Sequence, residues 1–66
     1  MKLTINGESR NFEKRLTLTA LLGELGLGEK PVVVELNREA LAPSEFALRE
    51  LSDGDLLEII TIAAGG

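Results

Sequence analysis

The 66-residue sequence predicts a two-layer α+β domain, in which one helix packs on one face of a mixed sheet of four to five strands. Short segments of alternating apolar and polar residues stand at both ends of the chain, and a single leucine stripe at helical spacing lies between them. Turn signals separate these segments. The 44% of hydrophobic residues favours a compact core, and Phe12 and Phe46 are the only aromatic residues, so we expect that core to be aliphatic.

The first strand is predicted at residues 2–6, where Leu3 and Ile5 alternate with polar residues. Asn6-Gly7 follows, and this pair is the strongest short signal for a β-hairpin because both central positions of a type I′ turn need positive φ. A second strand should return through residues 9–14. It is polar apart from Phe12, which is typical of an edge strand.

The helix is predicted from leucines that recur at the spacing of one helical face, namely Leu18, Leu21, Leu22 and Leu25. Thr17 is the expected N-cap, and Gly26 suits the left-handed position just past the helix end. Leu27 should then fold back on Leu22. Gly23 inside the helix costs about 1 kcal/mol relative to Ala, so tertiary packing must hold this helix.

The second half of the chain adds three strands. The first is predicted at residues 32–37, with Glu35 toward solvent and Val32, Val34 and Leu36 toward the core. A short strand at residues 40–42 precedes a loop that begins with Pro43-Ser44. Asp53-Gly54-Asp55 has the composition of a turn.

The last strand is predicted at residues 56–62, with side chains that alternate between the two faces of the sheet. Glu58 marks the solvent face, so Leu57 and Ile59 should enter the core. Ile60 and Ile62 then share the outer face with Glu58 and form a candidate docking surface. Two alternatives remain: singly exposed apolar residues are ordinary, or the strand is covered on both faces.

Composition excludes several function classes. The chain has no Cys and no His, which removes disulfides, thiolate metal sites, a cysteine nucleophile and the usual neutral-pH base. With a net charge of −4 and a pI near 4.6, the surface has no basic stripe for nucleic acid or anionic lipid, and it should be steered toward a basic protein surface. Asp53-Gly54-Asp55 lacks the remaining ligands of a calcium loop. We therefore expect no catalytic residue, no metal site and no resident cofactor.

The beginning of the chain has no apolar signal-peptide segment, and no apolar run approaches the roughly 20 residues that a membrane helix needs. We expect a cytoplasmic protein without contact with membranes.

The last four residues, 63–66, are Ala-Ala-Gly-Gly, and we expect a single domain over residues 1–66 with these four as a flexible tail. A terminal carboxylate on Gly66 is an anion at neutral pH and resists nucleophiles, so its use as an acyl donor requires activation, for instance as a mixed anhydride with AMP. Gly65 and Gly66 lack a Cβ and can thread a narrow channel to an activating enzyme. The alternative is a frayed end without a function.

Four segments together carry a resemblance to a known family. They are the strand Val33-Val34-Glu35-Leu36-Asn37, the segment Pro43-Ser44-Glu45-Phe46, the pattern Leu51-x-Asp53-Gly54-Asp55-x-x-Glu58-Ile59 and the final Gly65-Gly66. In this order and at this length, the chain resembles the thiamin-biosynthesis sulfur carriers of the ThiS family. The resemblance covers nearly the whole chain and implies a ubiquitin-like β-grasp fold.

The resemblance also implies a function. An E1-like adenylyltransferase (ThiF-like) would adenylate Gly66 with ATP, and a cysteine desulfurase relay would supply sulfur to give a terminal thiocarboxylate. A thiazole synthase (ThiG-like) would then take that sulfur to build the thiazole ring of thiamin. On this implication the chain is a co-substrate and not an enzyme. Leu56 departs from the family, in which a polar or basic residue is common at this position. Ala63-Ala64 has less distinctive side chains than many family tails.

Three other readings stay open. The first is the small subunit of molybdopterin synthase (MoaD-like), which shares the fold and the Gly-Gly chemistry but tends to be longer. The second is a ubiquitin-like modifier that is conjugated to lysines. The third is a small interaction module with an incidental Gly-Gly sequence.

Overall fold

Five strands and one α-helix follow the predicted order in the computed structural model, which describes residues 1–13 and 15–62. The elements are β1 (Lys2–Ile5), β2 (Glu8–Asn11), α1 (Leu18–Glu24), β3 (Val32–Leu36), β4 (Glu39–Leu41), a 3₁₀ helix (Pro43–Glu45) and β5 (Leu56–Thr61). The strands form one sheet in the order β2-β1-β5-β3-β4. β1 and β5 are parallel neighbours, whereas the other pairs are antiparallel, so the predicted mixed sheet is confirmed at five strands.

The first hairpin turns at Asn6-Gly7 as predicted, with φ of +51° and +84°. The second strand differs from its prediction over residues 9–14, because it begins at Glu8 and ends at Asn11. Its partner strand runs out at this point: the Met1 amino group donates to the Phe12 carbonyl oxygen, and the Phe12 amide donates back to Met1. Without further partner residues the ladder ends. Lys14 lies outside the described residues.

Both ends of α1 match the prediction. Thr17 is the N-cap, and its Oγ1 accepts from the Ala20 amide at 3.2 Å. At the other end Gly26 has φ of +77°, and the Leu27 amide donates to the Leu22 carbonyl at 2.8 Å. The Gly26 amide donates to the Gly23 carbonyl at 3.1 Å, which completes the Schellman arrangement.

The region after β3 corrects three boundaries. Asn37, predicted to end the strand, lies in a two-residue turn with Arg38, where φ is +51° and +71°. This tight turn pairs Leu36 with Glu39, so β4 occupies Glu39–Leu41 and not residues 40–42. The segment that begins with Pro43 was predicted only as a loop, but it forms a 3₁₀ turn in which the Glu45 carboxylate accepts from the Ala42 amide at 2.9 Å.

The core between the helix and one face of the sheet is aliphatic, as predicted. The buried residues are Leu3, Ile5, Leu16, Leu18, Leu21, Leu22, Val34, Leu36, Leu41, Leu51, Leu57 and Ile59. No polar or charged side chain is buried among the described residues. The segments on either side of this core are tied together by the Leu51 amide, which donates to the Leu16 carbonyl at 2.9 Å, and by the Leu18 amide, which donates to Arg49 at 2.9 Å.

Candidate functional site

The two faces of β5 are sharply different. Leu57 and Ile59 point into the core at 0% and 6% exposure, whereas Ile60 on the other face is 62% exposed and Glu58 is also exposed. The alternation predicted from the sequence is therefore confirmed for these four residues. A large aliphatic side chain on the solvent face adds apolar area that the fold itself does not bury.

Strand pairing places two residues of β3 beside this face. Val33 lies directly opposite Ile60, and Glu35 lies directly opposite Glu58. Val33 is 45% exposed, so the two aliphatic side chains form a continuous apolar spot with two carboxylates on one side. We call these four residues, Val33, Glu35, Glu58 and Ile60, the outer patch.

The two carboxylates of the outer patch form no ion pair with any of the described residues. Within residues 1–13 and 15–62 the single ion pair joins Arg49 to Glu45 at 3.8 Å. Like charges that face each other across strands destabilise a sheet. The outer patch thus combines exposed apolar area with an unneutralised negative charge, and a basic protein surface would complement both features.

Ile62, the other predicted docking residue, lies one residue beyond β5 and is 52% exposed. Its amide donates to the Pro31 carbonyl at 3.0 Å, which fixes the chain at this point. Ile62 also lines an open groove of about 400 Å³ together with Leu22, Leu27, Lys30, Val32, Pro43 and Phe46. We call this set the tail groove, because it lies at the last described residue before positions 63–66.

The predicted reactive residue Gly66 and its neighbour Gly65 lie outside the described residues. The outer patch and the tail groove both adjoin the point from which the chain continues toward them. The sequence predicted Ile60, Ile62 and Glu58 as docking residues, and it did not indicate that Val33, Glu35 and the groove lie near them. The signal for the two β3 residues was their alternation with Val34, but only the strand register shows that they face Ile60 and Glu58.

The acidic turn has a structural role, as predicted. Asp53 Oδ1 accepts from the Lys2 amide at 2.6 Å, and Asp55 Oδ2 accepts from the Ser52 amide at 2.7 Å. Asn37 Nδ2 donates to the other oxygen of Asp55 at 3.0 Å. Across the part of the chain that the structure describes, no group of three or more acidic side chains could hold a metal ion. The helix of seven residues in that part is too short to span a membrane.

Comparison with known proteins identifies the class and then the family. Over its full length the chain superposes on all of the crystal structure of the thiamine biosynthesis protein ThiS from Geobacter metallireducens, with a TM-score of 0.84 and 35% sequence identity. The single helix on a five-stranded mixed sheet is thus a ubiquitin-like β-grasp fold, which confirms that prediction.

Sequence comparison agrees with the structural match. The model of the ThiS family matches residues 3–66. The chain is 42% identical over 62 residues to the sulfur carrier protein ThiS of Thermus thermophilus, covering 94% of this chain and 95% of that protein. It is also 50% identical over 66 residues to a thiazole synthase of Paramagnetospirillum magneticum, of which it spans only 20%. The chain belongs to the ThiS family.

Proposed function

We propose that this chain is the sulfur carrier of thiamin thiazole biosynthesis and that it works through the C-terminal carboxylate of Gly66. The observation that carries the proposal is the family match, which includes both glycines and extends to residue 66. The Thermus relative, which is similar over nearly its whole length, is named a sulfur carrier protein. The outer patch and the tail groove lie near Ile62, the last described residue, and offer surfaces that a partner could bind.

The chemistry begins with activation, because a carboxylate is a poor acyl donor. An E1-like adenylyltransferase joins the Gly66 carboxylate to the α-phosphate of ATP and releases pyrophosphate. The terminal sulfur of a persulfide from a cysteine desulfurase relay then attacks the acyl carbon and displaces AMP, which gives an acyl disulfide. A thiol attacks the other sulfur of this S–S bond, forms a new disulfide with the relay protein and releases the thiocarboxylate on Gly66. The reaction needs ATP and a sulfur relay, which agrees with the cytoplasmic location predicted from the sequence.

The chain contributes no acid, base or nucleophile of its own to these steps. It has no Cys or His, and within the described residues no group of three or more acidic side chains could hold a metal ion. It acts as a co-substrate whose carboxyl end is modified by other proteins. The missing thiol is useful here, because no internal cysteine can intercept the activated acyl group.

The outer patch is the proposed docking surface for the adenylyltransferase. Val33 and Ile60 supply exposed apolar area, and Glu35 and Glu58 supply negative charge that no ion pair with a described residue neutralises. Apolar anchors with complementary charges beside them are typical of protein interfaces. Ile62 was predicted to share this face, but it lines the tail groove together with the helix residue Leu22.

Thiazole synthase is the proposed acceptor of the sulfur. The Paramagnetospirillum relative carries the name thiazole synthase, and one fifth of its length corresponds to this whole chain. In that relative a ThiS-like segment shares one polypeptide with the rest of the protein. Covalent linkage of this kind raises the effective concentration of two components that work together, which supports thiazole synthase as a partner of the separate chain.

Deletion of Gly66 tests the proposal. The wild-type chain should support ATP–pyrophosphate exchange by the adenylyltransferase, and the truncated chain should support none, since the activated carboxylate would be displaced by one residue. Thermal unfolding of the two proteins is the control and should coincide. Undiminished exchange with the truncated chain would show that Gly66 is not the reactive group.

Loss of the gene should cause a requirement for thiamin. A requirement for molybdenum cofactor instead would assign the carrier to molybdenum-cofactor synthesis.

A further inference from the structure

We infer that the tail groove receives an apolar side chain of the adenylating enzyme. This inference rests on the proposed function and adds a second contact surface to it. The outer patch lies on the face of the sheet away from the helix. The tail groove instead includes residues of the helix and of the segments that follow it.

The tail groove is a preformed apolar site. Leu22 is buried, whereas Leu27, Val32 and Phe46 are half-buried and leave apolar area open to solvent. Phe46 is one of only two aromatic residues in the chain. Lys30 is the charged residue among those that line the groove.

Hydrogen bonds of the backbone hold the walls of the groove in place. The Leu27 amide is bonded to the Leu22 carbonyl at 2.8 Å, and the Phe46 amide is bonded to the Pro43 carbonyl at 3.1 Å. The Ile62 amide is bonded to Pro31 at 3.0 Å. Because each wall is already fixed, an incoming side chain does not have to order the site, which lowers the entropic cost of binding.

The length of the chain beyond the groove limits how far away the enzyme can lie. Gly66 is four residues beyond Ile62. At about 3.3–3.6 Å per residue, these four residues span at most about 14 Å. An enzyme that binds the Gly66 carboxylate therefore lies within about 14 Å of Ile62, which brings its surface close to the groove.

The charges beside the two surfaces favour different parts of the enzyme. The two carboxylates of the outer patch are complementary to a basic surface of the enzyme. The Lys30 ammonium at the groove is complementary to an acidic residue next to the apolar side chain of the enzyme. The two surfaces would thus give the enzyme two separate contacts on the carrier.

The test uses the full-length chain and the purified adenylating enzyme in ATP–pyrophosphate exchange. Val32→Thr keeps the shape of the side chain and its tendency to form a strand, but it places a hydroxyl group in the groove. Lys30→Glu reverses the charge at the groove. We expect each change to raise the KM for the carrier about five- to tenfold, which corresponds to about 1 kcal/mol or slightly more, with kcat unchanged.

Leu48→Ser is the matched control, because Leu48 is 83% exposed, apolar and not among the residues that line the groove. Its KM should equal that of the wild type. Thermal unfolding of all variants shows whether folding is retained, and Lys30→Glu keeps the test valid even where Val32→Thr lowers stability. KM values that equal the control value for both groove variants would overturn the inference while leaving the proposed function intact. No exchange with the wild-type chain would overturn both.

Discussion

The facing carboxylates of Glu35 and Glu58 make a prediction in which stability and partner binding change in opposite directions. Replacement of Glu58 by Lys puts an ammonium group opposite Glu35 on the neighbouring strand. The variant should unfold at a higher temperature than the wild type and should bind the adenylating enzyme less well. Opposite changes in stability and binding are expected of a residue that lowers the stability of the fold but contributes to binding.

The expected gain in stability follows from the register of β3 and β5. A pair of like charges directly opposite each other lowers the stability of the sheet by roughly 0.2–1 kcal/mol, and a pair of opposite charges raises it by a similar amount. Both carboxylates are exposed and partly screened, so the combined change should be about 0.5–1.5 kcal/mol. For a domain of this size 1 kcal/mol corresponds to about 4–8 °C in Tm. We therefore expect a rise of roughly 2–12 °C.

Thermal denaturation followed by circular dichroism at low salt measures this rise. In 1 M salt, where the Debye length falls to about 3 Å, most of the gain should disappear. Glu58→Gln removes only the repulsion and should give about half of the gain. Glu8→Lys makes the same change in net charge on β2, where the residue opposite is Ile5, and should give little.

The same variants also test the predicted loss of binding to the adenylating enzyme. Glu58→Lys should raise the KM for the carrier in ATP–pyrophosphate exchange, because the enzyme surface is expected to be basic, and Glu8→Lys should not. The reasoning is refuted where Glu58→Lys is no more stable than Glu8→Lys, or where the enzyme uses both variants equally well.

Three further changes separate local geometry from function. Gly23→Ala should stabilise the chain by about 1 kcal/mol, since its Cβ would lie in open space within the helix. Gly26→Ala should destabilise the chain by about 1–2 kcal/mol, because φ is +77° at this position. Urea unfolding that shows the same direction of change for both variants would contradict these expectations. Arg38→Gly should stabilise by about 0.5–1 kcal/mol, because φ of +71° strains a side chain but not glycine, and an unchanged or lower urea midpoint would contradict it. Ile60→Asp should keep the fold but weaken enzyme binding about tenfold or more, while Leu48→Asp should leave binding unchanged; unfolding of the Ile60 variant would show that this side chain supports the core.

Local signals in the sequence predicted much of the fold. The Thr17 cap, the left-handed Gly26 and the Asn6-Gly7 turn depend on residues within a few positions of one another, and all three are confirmed. The alternation in β5 likewise predicted that Leu57 is buried and that Ile60 is exposed. These features need no knowledge of distant segments.

Features that depend on distant segments were not predicted. The length of β2 is limited by where β1 begins, and the start of β4 is set by a turn with two left-handed residues that lack glycine. The pairing of Glu35 with Glu58 depends on the register of strands that are about twenty residues apart in sequence. The tail groove joins the helix end, the 3₁₀ turn and the end of β5, and no local pattern brings these together.

The central claim is that Gly66 carries sulfur, and the intact mass of the protein tests it most directly. The chain should be isolated from its own cells during thiamin-limited growth and measured by mass spectrometry, with fragmentation to locate any change. The account predicts a form in which one oxygen is replaced by sulfur, with the change confined to Gly66. Only unmodified protein, or protein joined to lysine side chains, would contradict it.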